Sequence, residues 1–389
     1  MLNLIKKVIG FIIKLCSCLT FRSKKIFLFG SWFGEKYTDN PKAMYLHYLN
    51  NTNYTVYWVT KNKQIYTQLK KEKKPVLMIN SLKSIFIHLH AGTAFICTGP
   101  DVNLNLLGRA TIVQLWHGVG GGKKVGLDAG WYHSKLSRFL FKLDRNIFKN
   151  YIWITTSETF VNIFIRTFMM TKNQFYICGQ PRNDVFFKDL DKTDIKISLN
   201  IDEKKKIILY VPTHRLEGKK KFPFEENFDL CSLNKFCEDN GFIFVIKKHF
   251  YHKNEKIYLD EFKNIMDVTN STIDINDLLM ISDIIISDYS SVTADILLLK
   301  KTIIYYCFDY DDYIKNDRDM YWNYKEISPG YICTNFSDLL KALNKTILCD
   351  DFVKERERVR KLFYDDCCLT ECAPRIESIV HDVLNKNKF

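Results

Sequence analysis

From Lys25 onward the chain alternates short apolar runs with amphipathic segments, and it does so twice, on either side of a charged break at residues 188–206. Residues 25–30, 54–59, 93–97, 110–115, 151–155 and 174–178 read as buried strands before the break. Residues 206–212, 242–246, 284–287 and 302–306 read the same way after it, and an amphipathic helix near 374–386 closes the chain. Strands that are apolar on both faces and separated by helix-length segments build parallel sheets covered by helices. The expected fold is therefore α/β: two doubly wound, Rossmann-like domains facing a cleft. Ligands in such folds bind beyond the carboxyl ends of the strands. The expected division is an amphipathic helix over 1–22, a first α/β domain over 23–190 and a second over 191–389.

Ahead of the first strand, Leu2, Ile5, Val8, Ile9, Ile12, Leu15, Cys16 and Leu19 fall on one side of a helix. Asn3, Lys6, Lys7, Gly10, Lys14 and Ser17 fall on the other. An apolar stripe opposite lysines suits a helix lying in a membrane interface. Lys14 interrupts the run too early for a membrane-spanning helix, and no small-residue cleavage site follows for a signal peptide. A helix packed on its own domain is the plainer alternative. The net charge of +13 points to an anionic partner, either a membrane surface or a phosphate-rich substrate. No nucleic-acid-binding signature accompanies it, so nucleic acid is not an expected partner. The twelve cysteines show neither disulfide-framework nor zinc spacing, which suggests a reducing compartment. Together these features predict a peripheral protein on the cytoplasmic face of the cell membrane. A homo-oligomer is compatible with the sequence.

Two regions carry chemistry. The first is Gln114-Leu115-Trp116-His117-Gly118-Val119-Gly120-Gly121-Gly122-Lys123-Lys124. A strand end opening into glycines lets backbone approach a phosphate, and a histidine there can move a proton near neutral pH. A glycine turn with a structural histidine explains the same residues equally well. The second is Ser287-Asp288-Tyr289-Ser290-Ser291-Val292-Thr293-Ala294-Asp295, a strand end running into a helix start. Ser290 or Ser291 can cap that helix, whose free N–H groups form an anion site, while Asp295 lies one turn on, where a ribose could reach it. Thr213-His214-Arg215 and Lys247-Lys248-His249 end two further strands of this half. Arg215 is a natural bidentate phosphate ligand. Each alone has a bland reading as a cap or a solvated turn. As a set they favour a nucleotide-diphosphate site. No metal site is expected and no tightly bound cofactor is called for. The acidic run Asp309-Tyr310-Asp311-Asp312 is a candidate for Mg²⁺ beside substrate phosphates, although such runs are more often solvated turns.

The motifs together resemble the CDP-glycerol:poly(glycerophosphate) glycerophosphotransferase family, the teichoic-acid primases and polymerases. Asp39-Asn40-Pro41-Lys42, Gln114-Leu115-Trp116-His117-Gly118, Gly179-Gln180-Pro181-Arg182-Asn183-Asp184, Pro212-Thr213-His214-Arg215, Asp274-Ile275-Asn276-Asp277-Leu278-Leu279 and Ser287-Asp288-Tyr289-Ser290-Ser291 carry the resemblance. It implies a glycosyltransferase-B-like fold, membrane association, and transfer of glycerol phosphate or ribitol phosphate. The donor would be CDP-glycerol or CDP-ribitol, the acceptor a hydroxyl of a lipid-linked or polymeric molecule, and the leaving group CMP. His117 is implied as general base and His249 as a second catalytic histidine on the donor phosphates. Thr213, Arg215, Lys248, Asp288, Tyr289, Ser290, Ser291 and Asp295 are implied on the donor side. Gly118, Lys123, Lys124, Arg182 and Asn183 are implied on the acceptor side. The chain departs from the family pattern at His214, where the family has tryptophan, and at Cys367-Cys368-Leu369-Thr370-Glu371-Cys372. A nucleotide-sugar glycosyltransferase of the same architecture is the alternative enzyme, and a non-catalytic membrane protein with a degenerate nucleotide fold the alternative of another kind.

Overall fold

In the computed structural model the described residues are 2–50, 53–119, 122–131, 134–147, 150–189, 192–215, 224–249, 252–316 and 319–386. They form two α/β units. One takes the chain up to His117, Gly130–Asp184 and the residues from Tyr364 on; the other takes Gly118–Ala129 and Val185–Phe363.

The first unit is built on a seven-stranded sheet. Its strands are β1 (Ser23–Phe29), β2 (Thr55–Thr60), β3 (Val76–Met78), β4 (Ala91–Ile96), β5 (Thr111–Gln114), β6 (Tyr151–Thr155) and β7 (Phe175–Ile177). Every pairing is parallel, in the order β3-β2-β1-β4-β5-β6-β7. The order reverses between β1 and β4, as a doubly wound sheet requires. β4, β5 and β6 are buried along their whole length, which is why the sequence shows unbroken apolar runs there rather than alternation.

The second unit repeats the plan with β8 (Lys206–Val211), β9 (Phe242–Ile246), β10 (Ile265–Asp267), β11 (Ile284–Ser287), β12 (Thr302–Tyr306) and β13 (Tyr331–Cys333). Its order is β10-β9-β8-β11-β12-β13, again all parallel. The reversal here lies between β8 and β11. Each face of this sheet carries its own buried cluster, one around Phe228 and Phe244 and the other around Leu279 and Tyr305.

The expected α/β architecture is thus observed, with three further strands. β3, β10 and β13 are three residues each and lie at sheet edges. The charged break at residues 188–206 contains a helix, Lys192–Ser198. By contacts the closing helix, Ala373–Lys386, belongs with the first unit rather than the second. Cys372, Ala373, Ile376, Val380 and Leu384 enter the core that holds Phe27, Tyr48 and Trp58. Asp184 fastens its start: the carboxylate accepts the N–H groups of Cys372 and Ala373, both at 2.8 Å. Two N–H groups left over at a helix start are satisfied this way.

The first helix, Leu2–Ser17, forms as expected, and the side chains of residues 1–7 lie outside the described ones. Its polar face turns inward. Lys14 is buried and pairs with Asp144 at 2.7 Å, and the Ser17 hydroxyl accepts the Gly108 N–H. Arg22, just beyond, donates to the carbonyls of Ser17, His88, Ala91 and Leu106, and burial lowers its pKa to about 10. The apolar face turns outward: Ile9 is 51% exposed and Ile12 53%, and just beyond the helix Leu19 is 90% and Phe21 77% exposed. No helix among the described residues is long and apolar enough to cross a membrane.

Candidate active site

His117 lies three residues beyond β5. Its Nδ1 is 2.9 Å from the Cys97 carbonyl at the end of β4. A carbonyl only accepts, so the ring proton sits on Nδ1 and the lone pair on Nε2. Burial pushes the pKa of His117 below the ordinary imidazole value, against a smaller upward pull from that hydrogen bond and from Asp39. The ring is therefore neutral at pH 7, with Nε2 able to take a proton. Asp101 fixes the acceptor carbonyl in place: its carboxylate receives the N–H groups of Cys97, Thr98 and Phe33 at 2.8, 2.7 and 2.6 Å.

The backbone leading into His117 is strained. Trp116 has φ +57°, a region that a bulky residue occupies at a cost of roughly 1–3 kcal/mol. Three things hold it there. Gln114 Oε1 accepts the Trp116 N–H at 3.0 Å. Asn40 Nδ2 donates to the carbonyls of Leu115 and Trp116 at 3.3 and 3.0 Å. The indole is buried against Trp153 and Phe168. Gly118 follows at φ +129°, which only glycine adopts freely.

Arg182 closes the cluster. Its guanidinium is 3.1 Å from Asp39 Oδ1 and 3.4 Å from the His117 carbonyl, and its backbone N–H donates to Asn40 Oδ1. Asp39 also accepts the Trp32 indole N–H at 3.0 Å, and the Trp32 ring lies 5.4 Å from that of His117. Asn183 is buried beside Arg182.

The second set of expected residues gathers at the carboxyl ends of β8, β9 and β11, at the strand-order reversal of the second sheet. Asp288 Oδ1 accepts the Thr213 N–H at 2.8 Å, which ties the ends of β8 and β11 together. Ser290 and Ser291 are half-buried at the start of the helix Val292–Leu299. The Ser290 hydroxyl accepts the Val292 N–H, whereas Ser291 makes no capping bond from its side chain. His214 and His249 stand side by side, with ring centroids 4.7 Å apart.

The sequence profile of the CDP-glycerol:poly(glycerophosphate) glycerophosphotransferase family matches residues 12–384. The chain belongs to this family. It is 30% identical to a teichoic acid glycerol-phosphate transferase of Staphylococcus aureus, over 95% of this chain and 96% of that one. It is 28% identical to a teichoic acid poly(glycerol phosphate) polymerase of Bacillus spizizenii, over 93% of each. Among solved structures, the wall teichoic acid polymerase TagF superposes with a TM-score of 0.77 at 25% identity, covering 99% of both chains. A UDP-GlcNAc 2-epimerase from Neisseria meningitidis shares the fold alone, with a TM-score of 0.53 at 12% identity. The architecture is glycosyltransferase-B-like, as expected.

The geometry gives several glycerophosphotransferase motif residues roles different from those the sequence suggested. Arg215 is no open phosphate ligand. It is 3% exposed and directs Nε and NH2 to Asp309, NH2 to Asp288 and NH1 to the Thr213 carbonyl, at 2.6–3.0 Å. Burial alone would lower its pKa; the two carboxylates more than offset that and hold it above the ordinary arginine value. Asp309, the first residue of the acidic run, is thereby paired with Arg215. No group of three or more His, Cys, Asp or Glu side chains among the described residues could hold a metal ion. Lys248 is likewise turned into the fold, pairing with Asp267 at 3.0 Å and donating to the Glu255 carbonyl. Tyr289 is buried and stacked on Tyr313, and Asp295 is buried.

On the other side, Gly118, Lys123 and Lys124 group by contacts with the second unit, not with the unit that carries His117. Lys124 pairs with Asp319, and Lys123 lies 5.4 Å over the Tyr313 ring. Gly122 has φ +82°, which favours glycine, and a Cβ there would press on the tip of the Ile327 side chain. Gly120 and Gly121 lie outside the described residues. Asn40 braces the His117 loop. Trp32, Asp39 and Asp101 were not singled out as site residues. Asp39 alone carried a signal, its place in the Asp-Asn-Pro-Lys motif.

Proposed function

We propose that this glycerophosphotransferase moves glycerol phosphate or ribitol phosphate from a CDP-linked donor to an acceptor hydroxyl, as a peripheral enzyme at the cytoplasmic face of the membrane. The observation that carries the chemistry is the tautomer of His117, with Nδ1–H anchored on Cys97 and the lone pair on Nε2. The acceptor hydroxyl gives its proton to Nε2 as its oxygen attacks the donor phosphorus next to the polyol. The bond from that phosphorus to CMP breaks, and CMP leaves with the bonding pair. Phosphoryl transfer of this kind depends on positioning and charge neutralisation. The helix start at Ser290 and Ser291 supplies N–H groups for the donor phosphates. A TagF structure from a soak with CDPG supports a CDP-linked donor. The acceptor is a lipid-linked or polymeric molecule, and the reaction needs no tightly bound cofactor.

The membrane reading rests on the first helix, whose polar face is anchored on the fold and whose apolar face is open. Such a contiguous exposed face suits the headgroup boundary of a bilayer.

The test is CMP release from CDP-glycerol and CDP-ribitol with a defined lipid acceptor, for wild type and His117→Ala, across pH. Wild type should release CMP only with acceptor. Because burial lowers the His117 pKa, kcat/KM should stay level above pH 6.5 and fall on acidification only below it, as Nε2 becomes protonated. His117→Ala should lose at least about a hundredfold and the acid limb with it. A variant that keeps both removes His117 from the base role. Release from UDP-sugars but neither CDP-polyol would favour a glycosyltransferase instead.

A further inference from the structure

The cations that sequence motifs offer to a diphosphate are withdrawn. Arg215 is enclosed by Asp288, Asp309 and the Thr213 carbonyl. Lys248 is enclosed by Asp267 and the Glu255 carbonyl. Lys247 donates to the carbonyls of Val268 and Ser271 and to the Ser271 hydroxyl. A donor carrying two phosphates still needs hydrogen-bond donors or positive charge at the β8–β11 reversal, beyond what one helix start supplies.

Two imidazoles stand at that place. His214 lies three residues beyond β8 and His249 three residues beyond the neighbouring β9. Both are half-buried, with rings 4.7 Å apart and inclined by 55°. The residue before His214 adds a second sign of a polar ligand. Thr213 is 6% exposed, and its hydroxyl is buried with no hydrogen-bond partner among the described residues. Buried hydroxyls in folded proteins are nearly always satisfied, so one left over at a site is best explained by a missing polar partner. On the other flank, Asp288 locks Thr213 to the strand that leads into Ser290 and Ser291. The two imidazoles, the Thr213 hydroxyl and the helix start therefore follow the carboxyl ends of the three adjacent strands β9, β8 and β11.

We propose that His214 is a donor-phosphate ligand acting as a pair with His249, so that two imidazoles hold the diphosphate of a cytidine diphosphate-linked polyol where arginine and lysine are withdrawn. This rests on the donor reading given above. An imidazole donates an N–H when neutral and adds charge when protonated, whereas the family's tryptophan at this place offers only one uncharged N–H. The pair discriminates by phosphate count: it grips a diphosphate and releases a monophosphate, which favours departure of CMP after transfer.

Calorimetric binding of CDP, CMP and cytidine to the full chain tests this, with His214→Ala, His214→Gln, His214→Trp and His249→Ala compared with wild type. His214→Ala should weaken CDP about tenfold or more, leave cytidine within about twofold, and leave the melting temperature unchanged, as expected for loss of a hydrogen bond to an anion. His214→Gln, which keeps an N–H donor, should recover part of the loss. Unchanged CDP affinity in a folded His214→Ala overturns the pair. Equal losses for CDP and cytidine would make His214 a structural residue and overturn it too. A wild type that binds no CDP overturns the donor reading and the pair together. A wild type that binds CDP while His214→Ala binds it equally well refutes only the pair.

Discussion

Arg215→Met separates a buried keystone from a substrate ligand. The arginine side chain is 3% exposed, that of Asp288 0% and that of Asp309 14%. Methionine fills much of the same volume but leaves two carboxylates in the interior with no cation. Removing one partner from a buried ion network costs about 3–5 kcal/mol, because the remaining charge is uncompensated. For a unit of this size that corresponds to a fall of roughly 6–20 °C in melting temperature. Arg215→Lys should also be destabilising, since one ammonium cannot reproduce the fork that serves Asp288, Asp309 and the Thr213 carbonyl. Asp309→Asn should soften the effect of Arg215→Met, because one fewer charge is stranded. A double-mutant cycle in thermal or urea unfolding should return a coupling of about 0.5–3 kcal/mol. Arg215→Met that melts like wild type but no longer binds CDP would refute this reasoning and restore the arginine as a phosphate ligand.

Asp184→Ala should loosen the start of the helix Ala373–Lys386, costing about 2 kcal/mol for a lost carboxylate cap on two N–H groups. Amide exchange over residues 373–386 should speed up ahead of the rest of the first unit; unchanged protection would show that the apolar face alone holds the helix. Ile12→Glu should reduce binding to anionic vesicles at least about tenfold without changing the melting temperature, because Ile12 is 53% exposed. Undiminished vesicle binding would assign membrane contact to another surface.

The sheets were legible because parallel strands are buried on both faces and therefore appear as unbroken apolar runs. The runs at 284–287 and 302–306 are examples, matched to the residue by β11 and β12. β3, β10 and β13 were not, because their three residues carry no periodicity, whereas β7, equally short and also at an edge, lies within the longer run 174–178. His117 was legible as a histidine after a strand, but not its tautomer, which depends on a carbonyl twenty positions earlier. The partners of Arg215 were hidden for a related reason. Its residue type suits a phosphate and a buried carboxylate equally, and the deciding partner, Asp309, is ninety-four positions away. The outward apolar face of the first helix could be counted from sequence, but the inward pull of Lys14 depends on Asp144.

The fastening of Ala373 by Asp184 spans 189 positions of chain. During synthesis the first unit therefore lacks its last core helix while the whole second unit is being made. At ~5–20 residues per second that interval is roughly 10–40 s, long enough for the second unit to fold first although it begins later. Until then Tyr48, Trp58 and their neighbours have an uncovered side. A stop codon a few residues before Ala373 would thus damage the amino-terminal half of the protein more than the half it interrupts.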